Sequence, residues 1–346
     1  MADENSGTTP YSLLPEGCIA NIISFTSPKD ACRAAAVSLG LKPAAESDVV
    51  WERFLPPDYK EIVSGSNSPV ACSTKKELYF LLCESPLLVD GGKMSFRLSR
   101  STGKKCYMLC ARKLEIAWID TPIHWTWTFS PESRFAEVAK LQSVCWLEIR
   151  GILETKLLSP STNYAAYLVF NLSKNHYGLQ CSSKASVKVV RESITESEGQ
   201  TKTVYIVPPR PQRANLRFRS PRQPPSRNVE GDRVPLSRTD GWLEIELGEF
   251  FIAEVDEFDV QIQLCETQHL NWKKGLIVEG IELEVGEESE HPADKKQKSA
   301  KTKAKDAFRT LGTRSTPSTL VEVMKDFVVA QKNVVVEMSF GSLRWN

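Results

Sequence analysis

The sequence predicts an α+β chain in which a short N-terminal module of three helices precedes an all-β antiparallel sandwich of the jelly-roll-like kind. Apolar residues recur at helical spacing within about the first sixty positions. From about position 115, apolar and polar residues alternate with a period of two, which is typical of half-buried strands. The 346 residues exceed the usual length of one domain, so two modules with tails are expected.

The N-terminal helices are indicated by their end signals. Pro15 suits a first helical turn, and the isoleucines after it recur at helical spacing. A second helix is predicted to begin at 27–30, where a serine can cap, a proline fits the first turn and an acid follows. A third helix is predicted from about 47 to 54, because the two prolines at 56–57 would end it.

These segments resemble an F-box. The residues that carry the resemblance stand in the family's order: Leu14-Pro15-Glu16, Ile19, Ile22, Ile23, the helix start at 27–32, Val37 and Trp51. The resemblance implies docking to the Skp-type adaptor of a cullin-RING ubiquitin ligase, and it gives the contacts as Leu14, Pro15, Ile19 and Ile22. The residues themselves show only an apolar helical face that would gain by packing on a partner. The stretch 38–42 departs from the Cys-Lys-x-Trp segment of many F-boxes.

The second module is predicted to be antiparallel because its strands alternate and no long helix separates them. The alternation is clear at 145–150, 185–190, 243–247, 260–264 and 281–285. Each such strand has one buried and one wet face, so the core would lie between two sheets.

The densest aromatic cluster of the sequence lies at 118–127. Three tryptophans occur within these ten residues, interrupted by Pro122 and flanked by Asp120 and His124. They cannot all point into one core from a regular strand. An exposed indole offers a flat apolar face to the C–H face of a sugar, and nearby polar groups can bind its hydroxyls.

This module resembles the plant phloem-lectin family, to which the tobacco jasmonate-induced agglutinin belongs. The matching stretches are 117–120, 124–127, 144–156, 164–170, 240–251 and 272–280. The resemblance implies binding of N-acetylglucosamine oligomers or N-glycan cores. It places the sugar site at Trp118, Trp125, Asp259 and Glu266, with Asp259 standing where the agglutinin has a longer glutamate.

Charge and composition exclude several other classes. Lys plus Arg number 44 and Asp plus Glu 43, which gives no overall attraction for nucleic acid. No apolar run approaches the roughly 18 to 20 residues that cross a bilayer, so we expect no membrane span. The N-terminus is polar and acidic, unlike a secretory signal, so we expect the chain in the nucleus and cytoplasm.

Nine cysteines are scattered through the chain, mostly inside apolar stretches, and are predicted to be reduced thiols. Cys106 and Cys110 form one close pair, but no second pair or nearby histidine completes the four ligands of a structural zinc. We therefore expect no metal and no cofactor.

The predicted organisation is a disordered leader at 1–10, an F-box at 11–60, a connector at 61–104, the lectin-like sandwich at 105–285 and a charged tail at 286–346. An Arg/Pro-rich stretch at 208–227 is predicted to be a long loop. Within the tail, a lysine run at 295–305 could serve nuclear import, and a helix is predicted at 318–332.

The leading hypothesis is a non-catalytic substrate receptor, whose F-box holds the ligase while the sandwich holds a glycosylated client protein. An alternative keeps the ligase role but has the sandwich bind protein clients without sugar. A carbohydrate-active enzyme needs two carboxylates about 5 to 10 Å apart. Asp259 and Glu266 would face opposite surfaces of a straight strand, but sequence alone leaves this third hypothesis open.

Overall fold

The computed structural model describes residues 15–190, 201–208, 233–253 and 258–286. The chain divides into two compact units. The described part of the first comprises residues 15–55 and 74–76, and that of the second the remaining residues from 56 to 286. The predicted leader, Leu14, the stretch at 209–227 and the tail from 287 onward lie outside the described residues.

The first unit contains four helices within residues 15–55: α1 (Glu16–Ser24), α2 (Pro28–Val37), α3 (Lys42–Glu46) and α4 (Asp48–Phe54). Ser27 caps α2, as predicted, because its side chain accepts a hydrogen bond from the backbone N–H of Asp30 at 3.2 Å. Trp51 lies in the core, where its Nε1 donates to the carbonyl of Ala45 at 2.9 Å. These helices fit an F-box.

The prediction of three helices lacks α3. The second and third predicted helices correspond to α2 and α4, and α3 lies between them. Pro43 occupies the first turn of α3, a position that needs no N–H, and so it begins a helix. Ser47 then has an extended ψ of 139° and accepts from the N–H of Val49, so it ends α3 and caps α4.

Two further helices follow, α5 (Tyr59–Ser64) and α6 (Lys75–Glu84). Residues 61–104 were predicted to be a connector, yet they also contain β1 (Leu87–Val89) and β2 (Met94–Leu98). Both strands pair into the larger sheet. The β-structure therefore begins before position 105.

The remaining strands are β3 (Lys105–Cys110), β4 (Glu115–Ile116), β5 (Trp125–Thr128), β6 (Val138–Leu141), β7 (Leu147–Glu154), β8 (Thr162–Tyr177), β9 (Ser183–Val190), β10 (Lys202–Val204), β11 (Leu236–Ser237), β12 (Leu243–Ile252), β13 (Asp259–Glu266) and β14 (Lys274–Val285). One sheet has the order β1-β2-β3-β14-β8-β12-β11, with β6 on β14 and β5 on β6. The other has the order β10-β9-β13-β7-β4. Their strands pair antiparallel, so the β-rich antiparallel domain is confirmed.

The two sheets share buried side chains. A methyl group on Gly151 of β7 would meet Ile281 Cδ1 at 3.0 Å and Leu109 Cδ1 at 3.3 Å, so β7 packs directly on β14 and β3. Gly248 of β12 lies equally close to Val187 of β9. No helix among the described residues is long and apolar enough to cross a membrane.

A buried acid stands on the opposite face of the larger sheet. Glu282 on β14 is almost fully buried. It forms ion pairs with Arg238 at 2.8 Å, Arg134 at 3.2 Å and Arg97 at 3.4 Å. Burial acts to raise the pKa of Glu282, but the three guanidinium groups outweigh it and lower that pKa below the ordinary value.

All nine cysteines are free thiols. Cys106 and Cys110 lie buried on β3, and burial raises the pKa of Cys106 to about 11. Cys18 and Cys72 are exposed, although most of the cysteines were placed in apolar stretches of the sequence. Within the described residues, no cluster of three or more histidines, cysteines or acids is arranged to hold a metal ion.

Candidate functional site

The loop between β4 and β5 presents Trp118 to solvent. This indole is 56% exposed, and its ring centroid lies 6.0 Å from that of His124. The backbone of Trp118 has φ +68°, a left-handed conformation that is a genuine outlier for a bulky residue. Such strain costs on the order of 1–3 kcal/mol and persists where the surrounding structure imposes it, often at binding sites. Thr121 N–H holds the turn by donating to the Trp118 carbonyl at 3.0 Å.

Trp125 lies beneath this loop and not in water. Its side chain is 2% exposed, and its Nε1 donates to the carbonyl of Ala117 at 3.0 Å. Pairing of β5 with β6 places Trp125 opposite Leu141 in the core. The expectation that Trp125 stacks on a sugar therefore does not match its position; it supports the backbone next to Trp118. The third indole of the cluster, Trp127, is half-buried and covered by the Arg112 guanidinium at 3.6 Å.

Glu266, the last residue of β13, is buried and already engaged. Its carboxylate forms an ion pair with Lys273 and accepts from the backbone N–H of His269 at 2.8 Å. Burial acts to raise the pKa of Glu266, but the hydrogen bonds and charge of Lys273, with the His269 N–H, lower it overall. The carboxylate thus organises the loop at 267–272 and is not offered to solvent.

Lys273 completes this loop from inside. Its Nζ donates to three backbone carbonyls, those of His269 at 2.8 Å, Cys145 at 2.9 Å and Asn271 at 3.0 Å. A lysine ammonium carries three donors, so these three carbonyls saturate it, and the Glu266 carboxylate balances its charge. The loop held in this way presents Trp272, which is 55% exposed.

Asp259 lies far from the other predicted site residues. It is exposed and begins β13, whereas Glu266 ends the same strand. Seven residues at about 3.3 Å each separate the two acids by about 23 Å, and burial alternates along β13 so that they face opposite surfaces. The structure therefore brings Trp118 and Glu266 to one end of the domain and leaves Asp259 at the other. A two-carboxylate glycosidase built on this pair is excluded by the separation.

Two further exposed indoles, those of Trp146 and Trp272, lie at the same end of the domain as Trp118, and neither residue was predicted to belong to the site. Trp146 is 45% exposed and immediately precedes β7, while Trp272 precedes Lys273. Val144 and Lys273 exchange two backbone hydrogen bonds, at 2.7 and 3.1 Å, which brings the two segments together. The alternation at 145–150 already placed Trp146 on the wet face. Trp272 carries no periodic signal, because it lies in a loop.

The adaptor-contact residues predicted in the first unit differ in exposure. Pro15 is exposed at the start of α1, Ile19 is buried and Ile22 is half-buried. Val37 and Leu39 are 84% and 88% exposed. α2 ends at Val37, so Leu39 lies in the loop before α3. With Val49, which is also exposed, they are the large apolar side chains that this unit presents to solvent within its described residues.

The β-rich domain coincides with a known protein family. The family model described as phloem protein 2 matches residues 104–285, which holds Trp118, Trp146 and the loop at 267–272. The chain belongs to the phloem protein 2 family. Its phloem protein 2 domain thus contains Trp118, Trp146 and Trp272, the exposed indoles that we call the aromatic end.

Curated relatives from Arabidopsis thaliana extend this similarity beyond the phloem protein 2 domain. F-box protein PP2-B10 is 43% identical over 281 residues, covering 80% of this chain and 95% of that protein. F-box protein VBF is 38% identical over 279 residues, covering 78% and 98%. F-box protein PP2-B1 is 37% identical over 302 residues, covering 79% and 89%. The chain is accordingly a plant F-box protein with a phloem protein 2 domain.

Among solved structures, a family 35 carbohydrate binding module from Clostridium thermocellum matches 52% of this chain and 98% of its own. The TM-score is 0.26 and the identity 9%. This likeness is too low to indicate a shared fold.

Proposed function

We propose that this protein is a substrate receptor of a cullin-RING ubiquitin ligase, in which the F-box docks a Skp-type adaptor and the phloem protein 2 domain binds N-acetylglucosamine-containing glycans on client proteins. The observation that carries the proposal is the strained, solvent-facing Trp118 at the end of a β-rich domain. The protein performs no chemistry itself. Holding ligase and client together makes ubiquitin transfer effectively intramolecular.

The sugar-binding half rests on the chemistry of the aromatic end. Exposed indole faces suit the apolar C–H face of a pyranose ring, and ring stacking there excludes water from part of the ligand. In this proposal the two sheets form a sandwich that fixes the loop of Trp118 against Trp125 below it. The preference for N-acetylglucosamine is supported by the resemblance to the phloem lectins. A glycan array probed with the full chain tests it directly.

The adaptor-binding half rests on the names of the F-box relatives and on the apolar surface of the first unit. Val37 and Leu39 are too exposed to stabilise that unit by themselves. A Skp-type adaptor would cover them and remove this apolar area from water. The exposed Pro15 and half-buried Ile22 belong to the same unit.

Replacing Leu39 by aspartate is expected to weaken adaptor binding by tenfold or more, because a charge would have to be desolvated in the interface. Since Leu39 is exposed, the unfolding free energy should change by only about 0.5 kcal/mol. Binding of the purified chain to a Skp-type adaptor is measured by calorimetry, and glycan binding by the same protein is the control. Unchanged adaptor affinity would remove Leu39 from the proposed interface.

A second candidate function is a ligase receptor whose domain binds protein clients without sugar recognition. It is favoured by Glu266, whose carboxylate is engaged by Lys273, and by the exposed apolar residues Ile123 and Leu270 at the aromatic end. The two candidates differ in one result. A client retained by the protein after enzymatic removal of its glycans supports the second, and a client lost supports the first.

We further propose a nuclear and cytoplasmic location, with the lysine run at 295–305 acting as an import signal. Imaging a fluorescent fusion in which these lysines are replaced by serine tests this. Loss of the nuclear pool is the expected result, and an unchanged distribution would contradict it.

A further inference from the structure

We propose that Trp146 is a second sugar-stacking platform, which contacts a further ring of a bound N-acetylglucosamine chain next to the ring at Trp118. This inference rests on the proposed glycan binding and specifies it. The oligomer as ligand class follows from the resemblance to the phloem lectins; the residue that contacts its further ring is the new element.

The indole of Trp146 is held in a fixed orientation. Its Nε1 donates to Glu148 Oε2 at 3.2 Å, and Glu148 Oε1 in turn accepts from Gln263 Nε2 at 2.7 Å. Trp146 and Glu148 share the outward face of this segment, because Leu147 between them is buried. An exposed aromatic ring anchored by such a relay is preorganised, and little side-chain entropy would be lost when a ligand binds.

The backbone places Trp146 beside Trp118. Ala117 N–H donates to the Glu148 carbonyl at 3.0 Å, which sets Trp118 opposite Leu147, one residue from Trp146. Trp272 also belongs to this region, since its neighbour Lys273 pairs with Val144, two residues before Trp146. Exposed indoles on adjacent backbone segments suit a ligand of more than one ring.

The surface next to Trp146 indicates a sugar chain and not an apolar peptide. Glu148, Arg150, Gln261 and Gln263 face outward on the smaller sheet, and Arg150 pairs with Glu115 at 3.2 Å. Amides can both donate to and accept from sugar hydroxyls, while carboxylates accept from them and guanidinium groups donate to them. An apolar segment laid over them would have to desolvate these groups without replacing their hydrogen bonds.

The experiment compares oligomer lengths by titration calorimetry of the full chain. The probes are N-acetylglucosamine, its trimer and its hexamer. The native chain should bind more tightly as the oligomer lengthens. Trp146→Ala should leave binding of the monomer unchanged and weaken binding of the hexamer about tenfold, whereas Trp118→Gly should weaken binding of both. Phe129→Ala removes an exposed ring that follows the far end of β5, and it is the matched control.

The role of Glu148 in orienting the Trp146 indole is tested separately, by how strongly binding depends on oligomer length. Glu148→Gln keeps an oxygen that can accept from Trp146 Nε1 and should retain the length dependence, whereas Glu148→Ala should reduce it. Thermal unfolding of the Trp146 variants should match that of the native chain, because the side chain is nearly half exposed. Trp146→Gln provides a second variant.

The possible failures are distinguishable. If the native chain binds the sugars and Trp146→Ala shows the same length dependence, this inference is overturned and the proposed glycan binding stands. Equal weakening for monomer and hexamer would also overturn it, because Trp146 would then belong to the first ring's contact. If the native chain binds no oligomer at all, the proposed sugar recognition fails, and this inference fails with it.

Discussion

Replacing Trp118 by glycine is expected to reduce glycan affinity about 30-fold or more while leaving the domain as stable as before, within about 1 kcal/mol. The indole is the exposed ring that stacks in the proposed complex, so its removal takes away the central apolar contact. Glycine adopts φ +68° freely, whereas an L side chain pays roughly 1–2 kcal/mol there. Relief of that strain offsets the lost packing and the greater chain entropy of glycine.

The comparison that separates strain from binding is Trp118→Ala. It removes the indole but keeps an L side chain at φ +68°, so it should lose affinity like the glycine variant and be less stable than it. Calorimetric binding and thermal unfolding of both variants measure the two effects. A glycine variant with native affinity would remove Trp118 from the site, and one that is much less stable than the alanine variant would contradict the strained backbone.

Replacing Glu282 by glutamine is expected to lower the unfolding free energy by about 3–5 kcal/mol, the second large effect. The change removes the buried negative charge that Arg97, Arg134 and Arg238 share. The acids that remain beside them, Glu284, Asp240 and Glu244, are more exposed than Glu282 and each reaches only one or two of the three guanidinium groups. Glutamine also adds two amide N–H donors where guanidinium donors already point. Urea unfolding monitored by tryptophan fluorescence measures the loss.

The control for this substitution is Glu137→Gln. Glu137 pairs with Arg112 at 2.6 Å, but both side chains are nearly half exposed, so the loss should stay below about 1 kcal/mol. Equal effects of the two substitutions would show that Glu282 is no more important than a surface pair.

The same carboxylate predicts the direction of the response to acid. The pKa of Glu282 is lower in the folded protein than its unfolded value of about 4.3. Its contribution is therefore fully present above that unfolded value and is lost as the pH falls through the lower, folded value. Between neutral pH and this acid range, the unfolding free energy of the native chain should fall by more than that of Glu282→Gln. The difference between the two free energies should therefore shrink as the pH falls.

Local signals in the sequence were sufficient for several elements. The serine, proline and acid at 27–30 gave the start of α2, because a capping geometry depends on residues only a few positions apart. Alternation predicted β7, β9 and β13, since a strand with one buried face carries its own period. The short helix α3 was missed because a proline can end one helix or begin the next, and Pro43 begins one.

The candidate site was predicted less completely, because its contacts join distant segments. Nothing local distinguishes Trp118 from Trp125, yet a left-handed turn exposes one and strand pairing buries the other. The engagement of Glu266 depends on Lys273, which returns to it across a loop. The exposure of Trp146 could have been predicted from alternation, whereas its relay to Gln263 of β13 requires the sheet pairing.

The clamp at Lys273 has a consequence for how this domain can change over evolutionary time. Its ammonium group donates to the backbone carbonyls of Cys145, His269 and Asn271, a group that every residue type carries. Residues such as Leu270 and Trp272 can therefore be exchanged without loosening the clamp that holds the loop. The backbone conformation of the loop therefore does not depend on its exposed side chains. Related proteins can differ in the ligand that they recognise and keep the same loop conformation.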